Sequence, residues 1–407
     1  MNLGKKALSI TVSALLLALT ISAHSASAQT EPPRLVLEDC KLPSGPRDFT
    51  NFGFPRSSNR LPSDGLIKAQ IIFVDFPDAV GTDEKSLRKV AQRYTNNFKR
   101  FYLAQSYGKV SFDFTFLPKY FRIDKKTTSY NMNLRKGQNG EGVGAYFQDA
   151  LRAADKEVDF TGIDVVYVIP SNTNQEITYG PAFPMGTGST HLQTDEGAIQ
   201  NGTVAGTDSR LRENSLEWVW MAHETGHLFG LEHPWKVNSD AQGRGLSAPS
   251  HPVWDLMLNM GDGATGDLLG WSRFLIGWLG DSNVICIDAD ALTGVPTSFN
   301  ISPLSSRSDT EKFIFVKTGI YTGIAIEVRT RGGLNSFPAS WQGPLVYNID
   351  TRKIGNEGAA SLVGSGSPRF NGLSIGTLKP GQQVVSDGIK VRFKSQSGKS
   401  YKIEVSR

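Results

Sequence analysis

His223-Glu224-Thr225-Gly226-His227-Leu228-Phe229-Gly230-Leu231-Glu232-His233 spells H-E-x-x-H-x-x-G-x-x-H, three metal-ligand histidines with an acid beside the first. Residues four apart on an α-helix lie nearly one above the other, so His223 and His227 point the same way and can share one ion. Glu224 sits one residue round from His223, near the metal but off its line. From there it reaches a metal-activated water rather than the metal. His233 cannot come from the same straight helix. The chain must turn back, and Gly230 tolerates the positive φ that ends a helix. Three neutral imidazoles leave one position of a tetrahedral zinc open, the mark of a catalytic rather than a structural ion.

The flanking residues predict the helix itself. Asn214 or Ser215 can cap its start, and Glu217 favours its dipole from the first turn. Leu216, Val219, Trp220, His223 and His227 recur at helical spacing, while Trp218, Met221 and Leu228 add apolar surface. A largely buried helix is expected, with the ligands on an interior face. H-E-x-x-H alone arises by chance in many chains. Gly230 and His233 at their offsets make coincidence a poor account, and a structural zinc would leave Glu224 without a purpose.

Trp254-Asp255-Leu256-Met257 follows the third histidine by about two dozen residues. Zincins with the long motif, the metzincins, carry a methionine turn beneath the zinc ligands. Met257 fits that role, with Met260 the weaker candidate; the plain alternative is a methionine filling a core gap. His251 reads as a surface or supporting histidine rather than a ligand.

Three further stretches resemble the immune inhibitor A family of secreted bacterial metalloproteases. The first runs from Gly65 to Asp78 and ends in Asp75-Phe76-Pro77-Asp78. The second is Phe101-Tyr102 with Ser106-Tyr107-Gly108-Lys109. The third is Trp254-Asp255-Leu256-Met257 followed by Gly270-Trp271-Ser272-Arg273-Phe274-Leu275-Ile276-Gly277-Trp278-Leu279. Each is weak alone; their order around the histidines carries the likeness, over about residues 65–280. The resemblance implies a metzincin-type peptidase with an α/β (α+β) catalytic domain and leaves the substrate open. In metzincins an edge strand just before the zinc helix pairs with the substrate backbone, and Thr203-Val204-Ala205 is the expected place.

Composition agrees with a secreted globular enzyme. Of 407 residues, 39% are hydrophobic and 20% charged, with a net charge of +4. No basic stripe argues for nucleic acid. Lys5-Lys6, the apolar run Ala7–Ile21 and Ala26-Ser27-Ala28 read as an export signal over residues 1–28. Its removal takes two positive charges with it. The run is short of the about 20 residues a membrane span needs, and no other stretch could span. A monomer with no membrane attachment after signal cleavage is expected, with proteins or peptides as substrates.

Along the chain, residues 29–64 read as an irregular leader or pro-segment punctuated by prolines. Residues 65–282 read as the zinc peptidase domain. Strands are expected at Lys68–Phe76, Val110–Phe116 and Asp164–Pro170, and helices at Glu84–Tyr107 and Gly142–Lys156. Residues 171–212 are polar and glycine-rich and are expected to lack structure of their own. Residues 283–407 read as an all-β, sandwich-like C-terminal domain, with runs at Phe313–Lys317, Gly323–Arg329, Leu345–Asp350, Ile389–Lys394 and Tyr401–Val405. The β region from Ile324 to Asp350 also resembles the family, though Asn348 stands where a histidine is expected. Structural support is the plain reading of this domain.

Cys40 and Cys286 are the only cysteines. In an exported chain they are expected to pair, closing a loop of about 245 residues. The alternative is a switch in which the Cys40 thiolate blocks the zinc until the leader is removed. Calcium has no support: Asp75, Asp78, Asp262 and Asp267 could serve it but read as solvated loop carboxylates.

The expected activity is that of a zinc-dependent metalloendopeptidase, with one catalytic Zn2+ held by His223, His227 and His233 and Glu224 as general base. Two alternatives are a zinc hydrolase of another substrate class and a binding or adhesion protein with a vestigial site. The intact Glu224 counts against the latter.

Overall fold

The computed structural model describes, besides Met1, residues 34–45, 51–184, 192–207, 217–235, 238–239, 245–246, 254–257, 266–332, 337–353, 357–364, 369–370, 373–374 and 376–407. Contacts divide the chain into Met1–Glu31 and Pro32–Arg407. Every element below lies in the second unit, and the expected export signal lies outside the described residues. Among those residues, no helix is long and apolar enough to cross a membrane.

The first half is mixed α/β. Its strands are β1 (Gly65–Asp75), β2 (Val110–Phe116), β3 (Phe121–Arg122), β4 (Val165–Pro170), β5 (Ala182–Pro184) and β8 (Asn201–Val204). A hairpin of β6 (Leu192–Thr194) and β7 (Gly197–Ile199) stands apart. The sheet order is β2-β1-β4-β8-β5, with β3 beside β1. All pairs are parallel except β5 against β8. The central strands are apolar on both faces, as a parallel sheet covered by helices requires. Ile67, Ala69, Ile71 and Phe73 of β1 face α1 (Leu87–Gln105) and α3 (Glu217–Leu228). Ile72 and Val74 face α2 (Val143–Ala154) on the other side.

Two expectations for the region before α3 are corrected. Within residues 171–212 the chain forms β5, β6, β7 and β8, strands of three or four residues: β6 and β7 pair locally as a hairpin, and β5 and β8 join the sheet through partners distant in sequence. Thr203 and Val204 lie in a buried interior strand, because β4 and β5 flank β8 on both sides. The edge is β5.

After α3 come the short pair β9 (Asn238–Ser239) and β10 (Gly245–Leu246), then α4 (Gly270–Ile276). Then β structure takes over. One sheet has the order β11-β13-β14-β15-β16, from β11 (Val284–Asp288), β13 (Phe313–Lys317), β14 (Thr322–Arg329), β15 (Gly343–Asp350) and β16 (Ala360–Leu362). A second has the order β12-β21-β20-β19, from β12 (Thr297–Ile301), β19 (Gln383–Ser386), β20 (Ile389–Ser397) and β21 (Ser400–Ser406). Ile314, Val316, Ile324 and Ile326 of the first share one apolar cluster with Val391, Ile403 and Val405 of the second. Asn348 Oδ1 accepts from the Ser386 hydroxyl at 2.9 Å, a further tie between the sheets. A last short pair is β17 (Arg369–Phe370) with β18 (Leu373–Ser374).

The first β sheet is buried on both faces. Alternation turns Cys286, Phe313, Phe315, Leu345 and Tyr347 the other way, against Trp235, Trp254, Trp271 and Phe274. The β half therefore packs directly on the segment that follows α3.

Residues 34–45 and 51–61 are irregular, with one 3-10 turn at Leu37–Cys40, yet Cys40, Leu42, Phe52 and Leu61 are buried. Cys40 is bonded to Cys286 with 6.0 Å between the Cα atoms. That pairing leaves no Cys40 thiolate, so the switch alternative is set aside.

Candidate metal centre

The helix α3 is built to be held. Apart from Glu217 and His227, its residues are all buried. The Tyr102 hydroxyl donates to Ala222 O at 2.6 Å, and the Trp220 indole N–H to Gly180 O at 2.9 Å. Thr225 Oγ1 lies 2.8 Å from the Tyr167 hydroxyl and donates to Met221 O at 2.7 Å. Arg93 pairs with Glu217 at the helix start, 2.7 Å apart. The expected caps Asn214 and Ser215 lie outside the described residues, as does Leu216.

The helix ends as the glycine spacing predicts. Gly230 has φ +91°. Leu231 N donates to Gly226 O at 3.0 Å and Gly230 N to His227 O at 2.8 Å, the paired bonds of a Schellman turn. The carbonyls left over are met by the N-terminal segment. Leu61 N donates to Leu228 O at 3.0 Å, Asn51 N to Gly230 O at 3.2 Å, and Arg56 Nη1 to Phe229 O at 3.1 Å.

That turn brings His233 back onto the helix face. One ligand atom from each of His223, His227 and His233 lies within 4.8 Å of the others, a group that could hold a metal ion. Among the described residues it is the one such group found. His223 Nε2 and His233 Nε2 are 3.2 Å apart. Ligands about 2.0–2.1 Å from a tetrahedral ion stand about 3.4 Å from each other, so the pair is spaced to share one. His223 Nδ1 lies 2.9 Å from Leu256 O, and His227 Nδ1 lies 2.8 Å from Leu231 O. Each carbonyl can take only an N–H, which fixes the proton on Nδ1 and leaves Nε2 as a lone pair. Burial lowers the pKa of His227. Burial first, and then His227, lower that of His233, although its side chain keeps 31% of its surface exposed at the rim. Both shifts favour the neutral, metal-binding form.

Glu224 is 8% exposed and does not join the histidine group. Its Oε2 accepts from Ala182 N at 2.6 Å, on edge strand β5. Pro181 O accepts from Val204 N, so strand alternation turns the Ala182 backbone away from β8 and towards Glu224.

Trp254–Met257 lies beneath the histidines. Met257 is fully buried against Gly226, one residue before His227. Met260, His251 and Asp262 lie outside the described residues. The other three acids named for calcium have protein partners instead. Asp75, which is buried rather than solvated, takes a two-pronged bond from Arg122 at 2.7 and 2.8 Å. Asp78 accepts from Thr127, and Asp267 from Gln105.

Of the supporting groups, Ala182 carries no recognisable sequence signal, while Asp255 lies in the stretch Trp254–Met257 and Glu327 and Arg329 in the β region from Ile324 to Asp350, with nothing local to mark their roles. Tyr102 and Tyr107 sit in the stretch from Phe101 to Lys109. Tyr102 grips α3, and the Tyr107 hydroxyl meets Arg273 at 2.9 Å and donates to Leu304 O at 2.7 Å. Their role is to join helix, sheet and β half. Compared with known proteins, the sequence matches no family model, and no curated protein is significantly similar to it.

Proposed function

We propose that the protein is a secreted zinc-dependent metalloendopeptidase of the metzincin type, of the kind the immune inhibitor A resemblance implies. The observation that carries this reading is the convergence of His223, His227 and His233 beside a buried glutamate that is not itself in the group. Zinc suits the donors: three neutral imidazoles at tetrahedral spacing with no fourth protein ligand found among the described residues. When bound, zinc would lower the pKa of a coordinated water towards ~7 and polarise the scissile carbonyl.

The chain's own residues supply the rest. His223, His227 and His233 would hold the ion, His223 and His227 through Nε2 while each Nδ1–H donates to a backbone carbonyl. Glu224 accepts a proton from the attacking water and returns it to the leaving amine. The Ala182 N–H fixes one carboxylate oxygen and so the plane of the other. Strand β5 runs antiparallel at the end of the sheet beside Glu224, which suits pairing with an extended peptide backbone. Export is supported by the N-terminal pattern and by the Cys40–Cys286 bond, which oxidising compartments favour.

The test is zinc stoichiometry and casein hydrolysis by the purified protein. About one zinc per chain is expected, with hydrolysis lost on chelation and regained on adding zinc. Zinc binding without cleavage of casein or peptides would favour another substrate class.

A further inference from the structure

We propose that Arg329, in the β half, is a positioning residue for the metal site and acts through the turn Trp254–Met257. This rests on reading the three histidines as a zinc site. Arg329 is 2% exposed and lies on the face of β14 that carries Ala325 and Glu327. Its Nη2 donates to Trp254 O at 2.7 Å and to Asp267 O at 2.9 Å. Its Nη1 donates to Leu268 O at 3.3 Å and pairs with Glu327 Oε1 at 2.7 Å. The guanidinium also lies over the Trp254 ring, 5.7 Å from its centre. One planar group therefore ties Trp254 to Asp267 and Leu268.

Neighbouring bonds join the turn Trp254–Met257 and the start of α4 to the same strand and to each other. Glu327 Oε2 accepts from Gly270 N at 2.6 Å and from the Tyr347 hydroxyl at 2.7 Å. Asp255 Oδ1 accepts from Met257 N at 2.7 Å, and Oδ2 from Leu269 N at 2.8 Å. Between Asp255 and Met257 stands Leu256, whose carbonyl takes His223 Nδ1. The path from β14 to a metal ligand is thus Arg329, the Trp254 carbonyl, the Leu256 carbonyl and His223.

Stability alone does not account for a buried Glu327–Arg329 pair. Two desolvated charges rarely outperform well-packed apolar side chains of similar volume. What apolar residues cannot do is donate to three carbonyls at once, and a lysine lacks the rigid fork to do it. Partners that orient a metal-bound histidine typically change metal affinity by about 10–100-fold.

The experiment is a zinc competition titration against a chromophoric chelator, on the full mature chain, with a thermal melt of each variant. Arg329→Lys keeps a charge for Glu327 but loses the fork. Its zinc affinity should fall by about 10-fold or more, and the His223 Nδ1–H signal in nitrogen NMR should broaden or move. Val391→Ala, in the apolar cluster between the two β sheets, should melt earlier with zinc affinity unchanged. If Arg329→Lys is not recovered folded, Glu327→Gln/Arg329→Gln removes both charges together and should show the same loss. A folded variant at either position with wild-type zinc affinity overturns the proposal. So does an equal loss in Val391→Ala, which would reduce the effect to general stability. Wild-type protein that binds no zinc overturns the metal site instead, a separate result.

Discussion

A Cβ placed on Gly226 would stand 2.2 Å from Sδ of Met257 and 3.0 Å from its Cε. The helix that carries His223 and His227 therefore rests on a methionine that has taken the room of a side chain. Gly226→Ala gains helix propensity of about 1 kcal/mol but overpacks a fully buried contact at about 1–3 kcal/mol. Net destabilisation and weaker metal binding are expected. Denaturant melts should show Gly226→Ala and Met257→Ala coupled by at least ~0.5 kcal/mol, because one makes the space the other fills. Strict additivity would separate the two residues.

Met257→Leu conserves volume and should cost less than about 1.5 kcal/mol with zinc retained. Met257→Asp puts a carboxylate into a dry contact and should abolish folding or metal binding. Metal analysis of the purified variants decides. A folded, active Met257→Asp protein would place the supporting turn elsewhere, with Met260 the next residue to test.

The features legible in the sequence are the ones local spacing dictates. His223 and His227 four apart, Gly230 at the helix end, and the apolar runs of β1, β4, β13 and β14 each announce themselves within a dozen residues. The edge strand could not be read this way. Ala182–Pro184 is three residues long, ends in proline, and is a strand only because β8 lies beside it. Thr203 and Val204 carried a better local pattern and so drew the assignment to an interior strand. The same holds for Arg329, whose partner Trp254 is 75 residues away. Among residues 34–45 and 51–64 the described backbone is irregular apart from one 3-10 turn, and nothing local showed that Asn51, Arg56 and Leu61 meet the last carbonyls of α3.

Burial raises the Asp255 carboxyl from its ordinary 3.8 to about 6, against the pull of the Leu269 and Met257 N–H groups and of Arg329. The folded state then binds this proton more tightly than the unfolded chain. Its contribution to stability is full below the unfolded value and is lost as pH rises through about 6. Asp255→Asn has no such proton. The wild-type-minus-variant unfolding free energy should therefore fall by about 1–3 kcal/mol between pH 4 and 7. A difference that is flat, or that grows with pH, contradicts the assignment.

Cys40 and Cys286 are 246 residues apart in sequence. A loop of that length gives the chain-entropy model about 5 kcal/mol, and measured bonds more often give about 2–4 kcal/mol. Cys40→Ser/Cys286→Ser should lose stability in that range in denaturant melts. Because residues 51–61 cap the carbonyls of α3, limited proteolysis should then cut first between residues 41 and 61. Peptidase activity that rises after such a cut would show that the segment restrains the proposed site rather than completes it.

The central claim is that Glu224 serves as a base at a zinc held by three histidines. The most direct measurement is the rate at which Glu224→Ala cleaves a peptide library, with its zinc content determined on the same sample. About one zinc per chain should remain, because Glu224 is not a ligand, while the rate falls by roughly 10²-fold or more. A zinc-loaded Glu224→Ala protein cleaving near the wild-type rate would contradict the account.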